Sequence, residues 1–132
     1  MEQICRAIPV MPVRDIESAC TWYARALGLT IVTKHEGQHA GEATNYAVLV
    51  RDGVQIHLIL DEPAPYRGSW TLHGSGYLYL QVKDVEKLHT AVQAARLPLT
   101  SELGMSSWGA NGFEFRDPSG NLIRVEQAPD GR

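Results

Sequence analysis

His57 and Arg124 are the side chains of this chain whose types and settings suggest chemistry, because each interrupts an apolar, strand-like run. His57 lies in Val54-Gln-Ile-His-Leu-Ile-Leu60, and Arg124 in Leu122-Ile-Arg-Val-Glu-Gln127. A strand imidazole can be a half-buried hydrogen-bonding group, a contact to a small molecule, or a metal ligand. A fixed cation suits an anionic or carbonyl ligand, or pairs internally, here with Glu114 or Glu126. Nucleophilic catalysis finds no support: there is no Gly-x-Ser-x-Gly, and neither Cys5 nor Cys20 has a histidine near it in sequence. His35 and His39 fall in a polar segment, His73 in a loop and His89 in a helix. His35-Glu-Gly-Gln-His39 has the His-Glu-x-x-His spacing, but it falls in a polar, glycine-containing stretch rather than on an apolar-periodic helix that would bring both rings to one face, so exposed positions are expected for these four. Tyr46, Tyr77, Tyr79, Trp70, Trp108 and Phe113 supply stacking surface if they face a cleft, and ordinary packing if they do not. Asp61, Glu62, Glu102, Glu114 and Glu126 are available to make such a cleft negative.

These groups belong to a chain of 132 residues, 44% apolar and 20% charged, which suits one globular domain with a real core. A net charge of −3 argues against a nucleic-acid partner, since neutralising phosphates calls for surplus Lys and Arg. No apolar run approaches the roughly 18 residues of a membrane span, and no basic-then-apolar signal opens the chain. The expectation is a cytoplasmic protein with reduced thiols and no membrane contact, with Cys20 packed on an apolar helix face.

The elements that position the candidate residues come in two matching series. A strand over 6–13, holding Pro9 and Pro12, leads to Asp15 as helix cap. Ile16, Ala19, Cys20, Tyr23, Ala26 and Leu27 recur at helical spacing, and Gly28 stops the helix. Strands follow at 29–36, 45–50 and 54–60, the last two joined by the Arg51-Asp-Gly53 turn. After a linker at 61–75, rich in Pro and Gly, the pattern restarts. Strand 77–82 precedes Asp84 and a helix with Val85, Leu88, Ala91, Val92 and Ala95 on one face, ended by Pro98. A weak strand at 98–102, a loop at 103–110 and a hairpin around Asp117-Pro-Ser-Gly-Asn121 complete it.

Val13-Arg-Asp-Ile-Glu17 matches Val82-Lys-Asp-Val-Glu86 at an offset of 69, and Gly53 matches Gly120 at 67. The expected fold is therefore α+β: two βαβββ repeats, about 6–60 and 76–127, forming a curved mixed sheet with one helix per repeat on its outer face. Alternation turns Ile56, Leu58, Leu60, Leu78, Leu80, Val82, Ile123 and Val125 toward the helices. It turns His57, Tyr77, Tyr79, Arg124 and Glu126 the other way.

Three stretches carry a family likeness: Ala7-Ile-Pro-Val-Met-Pro-Val-Arg-Asp-Ile16, Trp22-Tyr-Ala-Arg-Ala-Leu-Gly-Leu29, and Trp108-Gly with Phe113-Glu-Phe-Arg-Asp-Pro-Ser-Gly-Asn121. Over nearly its whole length the chain resembles the vicinal oxygen chelate superfamily, and within it the bleomycin-resistance branch. Enzymes of that superfamily hold a divalent metal with four side chains, and the matching positions here are Ile8, His57, Tyr77 and Arg124. Only His57 is an ordinary ligand, so the expectation is no metal, no cofactor and no catalytic residue.

The resemblance instead implies non-catalytic sequestration of a small planar, cationic ligand of the bleomycin type, as in antibiotic resistance. The implied ligand-binding residues are Tyr46, His57, Tyr77, Tyr79, Trp108, Phe113, Glu114 and Arg124. It also implies a homodimer with grooves at the subunit boundary and exchange of the first strand, where Pro9 suits either a crossing arm or a sheet edge. The alternatives are a metal-dependent lyase, dioxygenase or thiol transferase, and a small-molecule sensing or immunity module.

Overall fold

Asp15 and Asp84 open the two helices in the same way. Each has extended backbone, and each carboxylate accepts a hydrogen bond three residues on, from Ser18 N at 2.9 Å and from Lys87 N at 3.0 Å. The resulting helices are α1 (Ile16–Leu27) and α2 (Val85–Ala94), the first closed by left-handed Gly28 at φ 67°. These features come from a computed structural model that describes residues 2–36, 44–62 and 72–129. Trp70, His39 and most of the 61–75 linker lie outside the described residues.

Around the helices run β1 (Val10–Val13), β2 (Thr30–Glu36), β3 (Thr44–Arg51), β4 (Val54–Leu60), β5 (Tyr77–Val82), β6 (Leu99–Met105), β7 (Asn111–Arg116) and β8 (Leu122–Gln127). Each repeat makes a four-stranded mixed sheet, ordered β1-β4-β3-β2 and β5-β8-β7-β6. In each, the first strand pairs parallel with the last and the other pairs are antiparallel. The repeated order is that of two βαβββ units, and the architecture is α+β.

Two strands differ from their sequence expectation. β1 begins at Val10, not at residue 6; Pro9 has no N–H for the ladder, although its carbonyl still accepts from His57 N at 3.0 Å. β6 runs on to Met105 through register shifts between Leu99 and Gly104, an irregularity that hides its period in sequence.

The helix-facing sides of both sheets share one apolar core. Ile56, Leu58, Leu78, Ile123 and Val125 pack there with Ile16, Tyr23, Val85 and Val92. Cys20 is part of it, and Cys5 is an exposed free thiol. Trp22 of α1 reaches Phe115 of β7, with ring centroids 5.6 Å apart, so the repeats interlock. The Asp117–Asn121 turn fastens them. Asn121 Nδ2 donates to Pro12 O at 2.7 Å, and Asn121 Oδ1 accepts from Gly74 N and Gly76 N at 3.0 and 2.9 Å. Tyr23 Oη donates to Asp117 Oδ2 at 2.7 Å, and Arg14 N to Ser119 Oγ at 2.9 Å. A Cβ at Gly76 would stand 2.8 Å from Asn121 Oδ1, so this approach needs glycine.

Of the outlying histidines that the structure describes, His35 is exposed. His73 is half-buried with Nδ1 2.6 Å from Asp61 Oδ2. His89 is half-buried against Phe113, ring centroids 5.1 Å apart, because it stands four residues after Val85 on the inner face of α2. No helix among the described residues is long and apolar enough to cross a membrane.

Candidate functional site: two open sheet faces

The helices cover one face of each sheet, and among the described residues large apolar side chains stand exposed on the other. Tyr77 (56%), Tyr79 (48%) and Trp108 (64%) belong to the second repeat, Val10 (44%) and Ile59 (39%) to the first. Such apolar exposure on both faces marks them as surfaces for contact.

On the second sheet, strand register builds the site. Tyr79, Arg124 and Glu114 form one row across β5, β8 and β7, and Glu126 follows two residues after Arg124 on the same face. Glu126 is almost wholly buried, and its carboxylate gathers three donors: Arg124 Nε at 2.7 Å, Trp108 Nε1 at 3.0 Å, and the Tyr79 hydroxyl. Burial pushes this carboxyl up, yet the hydrogen bonds from Tyr79, Arg124 and Trp108 prevail and hold it below the usual carboxylate value. The same bond to Glu126 raises the Tyr79 phenol. The Arg124 guanidinium also lies 3.8 Å from Glu114 Oε2 and 5.2 Å from the centre of the Trp108 ring, a cation–π placement. Gly112 makes this packing possible: a Cβ there would sit 2.9 Å from Glu126 Cγ and 3.1 Å from Arg124 Nη2.

The first sheet carries a second, separate group. Tyr46 Oη is 2.7 Å from His57 Nδ1, and His57 Nε2 is 2.9 Å from Gln55 Oε1. The Gln55 oxygen accepts from Nε2–H, which leaves Nδ1 to accept from the Tyr46 hydroxyl. The Tyr46 and His57 rings meet edge to face at 5.4 Å.

The structure thus brings Tyr79, Trp108, Glu114 and Arg124 together, keeps Tyr77 on the same face, and sets Tyr46 with His57 on the other sheet. Phe113 does not join them. It is fully buried in the core, stacked on Phe115 at 5.7 Å, because Phe113 and Phe115 share the parity of Val125 and Ile123, their partners across β7 and β8. Glu126, Gln55 and Gly112 complete the two groups although no motif announces them. The one sequence signal is the spacing of Arg124 and Glu126, which puts both on one side of a strand.

A model of the Glyoxalase/Bleomycin resistance protein/Dioxygenase superfamily matches residues 7–125. The chain belongs to this superfamily. No curated protein matches it in sequence. Among solved structures of the superfamily's fold, TioX from Micromonospora sp. ML1 is 19% identical, with 93% of this chain and 98% of that one covered and a TM-score of 0.75. A bleomycin-binding protein complexed with bleomycin is 21% identical, covering 96% and 100%, with a TM-score of 0.70. Lactoylglutathione lyase from Agrobacterium tumefaciens is 17% identical, covering 96% of each chain, with a TM-score of 0.70. At such identities the likeness is one of fold, and it joins a binding protein to a lyase.

The superfamily's metal positions do not fit a metal here. Ile8 has no donor, both ring nitrogens of His57 are engaged by Tyr46 and Gln55, and Arg124 would place a cation against a cation. Among the described residues no three His, Cys, Asp or Glu side chains converge as a metal-binding group.

Proposed function

We propose that this member of the superfamily binds and sequesters a small planar, cationic ligand of the bleomycin type and performs no chemistry on it. The observation that carries the reading is the internal pairing of Arg124. Glu126 and Glu114 both face the Arg124 guanidinium, so two carboxylates oppose this cation beside Tyr77, Tyr79 and Trp108, while Arg116, further along the same face of β7, donates to Gly120 O. A surplus negative charge beside exposed rings suits a cation with a planar part: the rings supply stacking and burial, the charge speeds encounter. Tyr46 and His57 belong to the ligand-binding set as the opposite wall.

The functional form in this reading is a homodimer in which the open first sheet of one subunit faces the open second sheet of the other. That arrangement covers Val10, Ile59, Tyr77, Tyr79 and Trp108 together. β1 lies on its own β4, and exchange of that strand between subunits would replace this pairing with the same one made in trans. The proposed compartment is the cytoplasm, where the ligand is kept from its target.

Bleomycin titrated against tryptophan fluorescence tests the reading. Saturable quenching in the micromolar range is expected, and the absence of any saturable change at those concentrations sinks it.

A further inference from the structure

We infer that Glu126 is the positioning residue of this face: its buried carboxylate holds Trp108 and Tyr79 as a prepared stacking platform and engages the charge of Arg124. The ligand class rests on the reading above; the positioning role rests on geometry alone. Trp108 is 64% exposed, so core packing does not fix its ring. Its backbone is fixed, because Ser106 N donates to Ala110 O at 2.8 Å and Ala110 N to Ser106 Oγ at 3.1 Å around a left-handed Gly109. The side chain then has two contacts that determine its angle, the indole N–H on Glu126 Oε2 at 3.0 Å and the Arg124 guanidinium over the ring. Both run through Glu126, since the same Oε2 accepts from Arg124 Nε at 2.7 Å. Tyr79 is tied to the other carboxylate oxygen.

An exposed indole without such ties samples several rotamers and loses that freedom on binding; one already held does not. Specificity follows as well. With Arg124 Nε engaged by Glu126 and its guanidinium beside Glu114, this buried cation is opposed by two carboxylates and offers an anion less than a free arginine would. Glu126→Gln keeps the shape, removes one negative charge, and loosens Arg124 and Trp108 together.

The direct test is the indole N–H signal of Trp108 in a proton–nitrogen correlation spectrum, assigned by its loss in Trp108→Phe. In the native protein we expect it downfield and slow to exchange, moving upfield on acidification as Glu126 protonates. In Glu126→Gln it should stand upfield and ignore acid. A Trp108 signal that is flat through the acid titration of the native protein overturns the inference, and the only variant this arm needs is Trp108→Phe, at an exposed position, for the assignment. In the ligand arm, bleomycin should bind Glu126→Gln about tenfold more weakly, the loss of one charge-assisted hydrogen bond. Equal affinity for both proteins overturns the inference. If native protein ignores bleomycin while the indole signal still tracks Glu126, the positioning role stands and the bleomycin reading falls.

Discussion

Arg124 and Glu126 stand two residues apart on one strand, face the same side, and join through a 2.7 Å bond from Nε to Oε2 in a buried setting, 8% and 1% exposed at their side chains. Taking two charges out of water is costly, and the geometry repays it only while both partners and their other hydrogen bonds remain.

Arg124→Met should therefore destabilise the fold by about 3 kcal/mol, because it leaves Glu126 charged, buried and short of its main counter-ion. The double variant with Glu126→Leu should recover most of that loss. Urea denaturation of the four proteins in this cycle measures it, and an Arg124→Met protein as stable as the native one contradicts the pairing.

Acid acts through the same carboxyl. Folding lowers the pKa of Glu126, so its contribution is fully present above the unfolded value of about 4.3 and drains away as pH falls through the lower folded value. Native protein should lose stability over that acid range more steeply than Glu126→Gln. Parallel acid curves for the two proteins would count against the assignment.

The inter-repeat joint makes a different demand. Asn121 is fully buried and serves Pro12 O, Gly74 N, Gly76 N and Asp117 with one amide. Asn121→Ala strands these backbone groups and should cost about 3 kcal/mol or more, at the high end for a single substitution. A melting temperature within a degree or two of native would mean that water replaces the amide.

Arg96 follows α2 in the left-handed region at φ 58°, a place where glycine is usual and where Arg96 N bonds Gln93 O at 2.9 Å. Arg96→Gly should stabilise the protein by a few tenths to about 1 kcal/mol, read as a higher denaturant midpoint with unchanged slope. A lower midpoint contradicts this account of the helix end.

The repeat was legible because caps, turns and apolar periods recur at a nearly fixed offset: Asp15 with Asp84, Gly53 with Gly120. Face assignment was legible wherever alternation was unbroken, as for His57, Tyr79 and Arg124. Phe113 shows the limit: its aromatic type suggested a cleft, but its parity with Phe115 places it inside. β6 escaped notice beyond residue 102 because its register shifts spoil the period of two. The centre of the site was harder still. That Glu126 gathers Tyr79, Trp108 and Arg124 depends on three elements meeting in space, and no local spacing encodes it.

The central claim is binding without chemistry, and equilibrium dialysis of bleomycin against the native protein, with mass analysis of the drug recovered, tests it most directly. The account predicts accumulation on the protein side, saturating with added drug, and recovery of bleomycin at unchanged mass. Equal drug on both sides of the membrane, or drug returned at an altered mass, would contradict it.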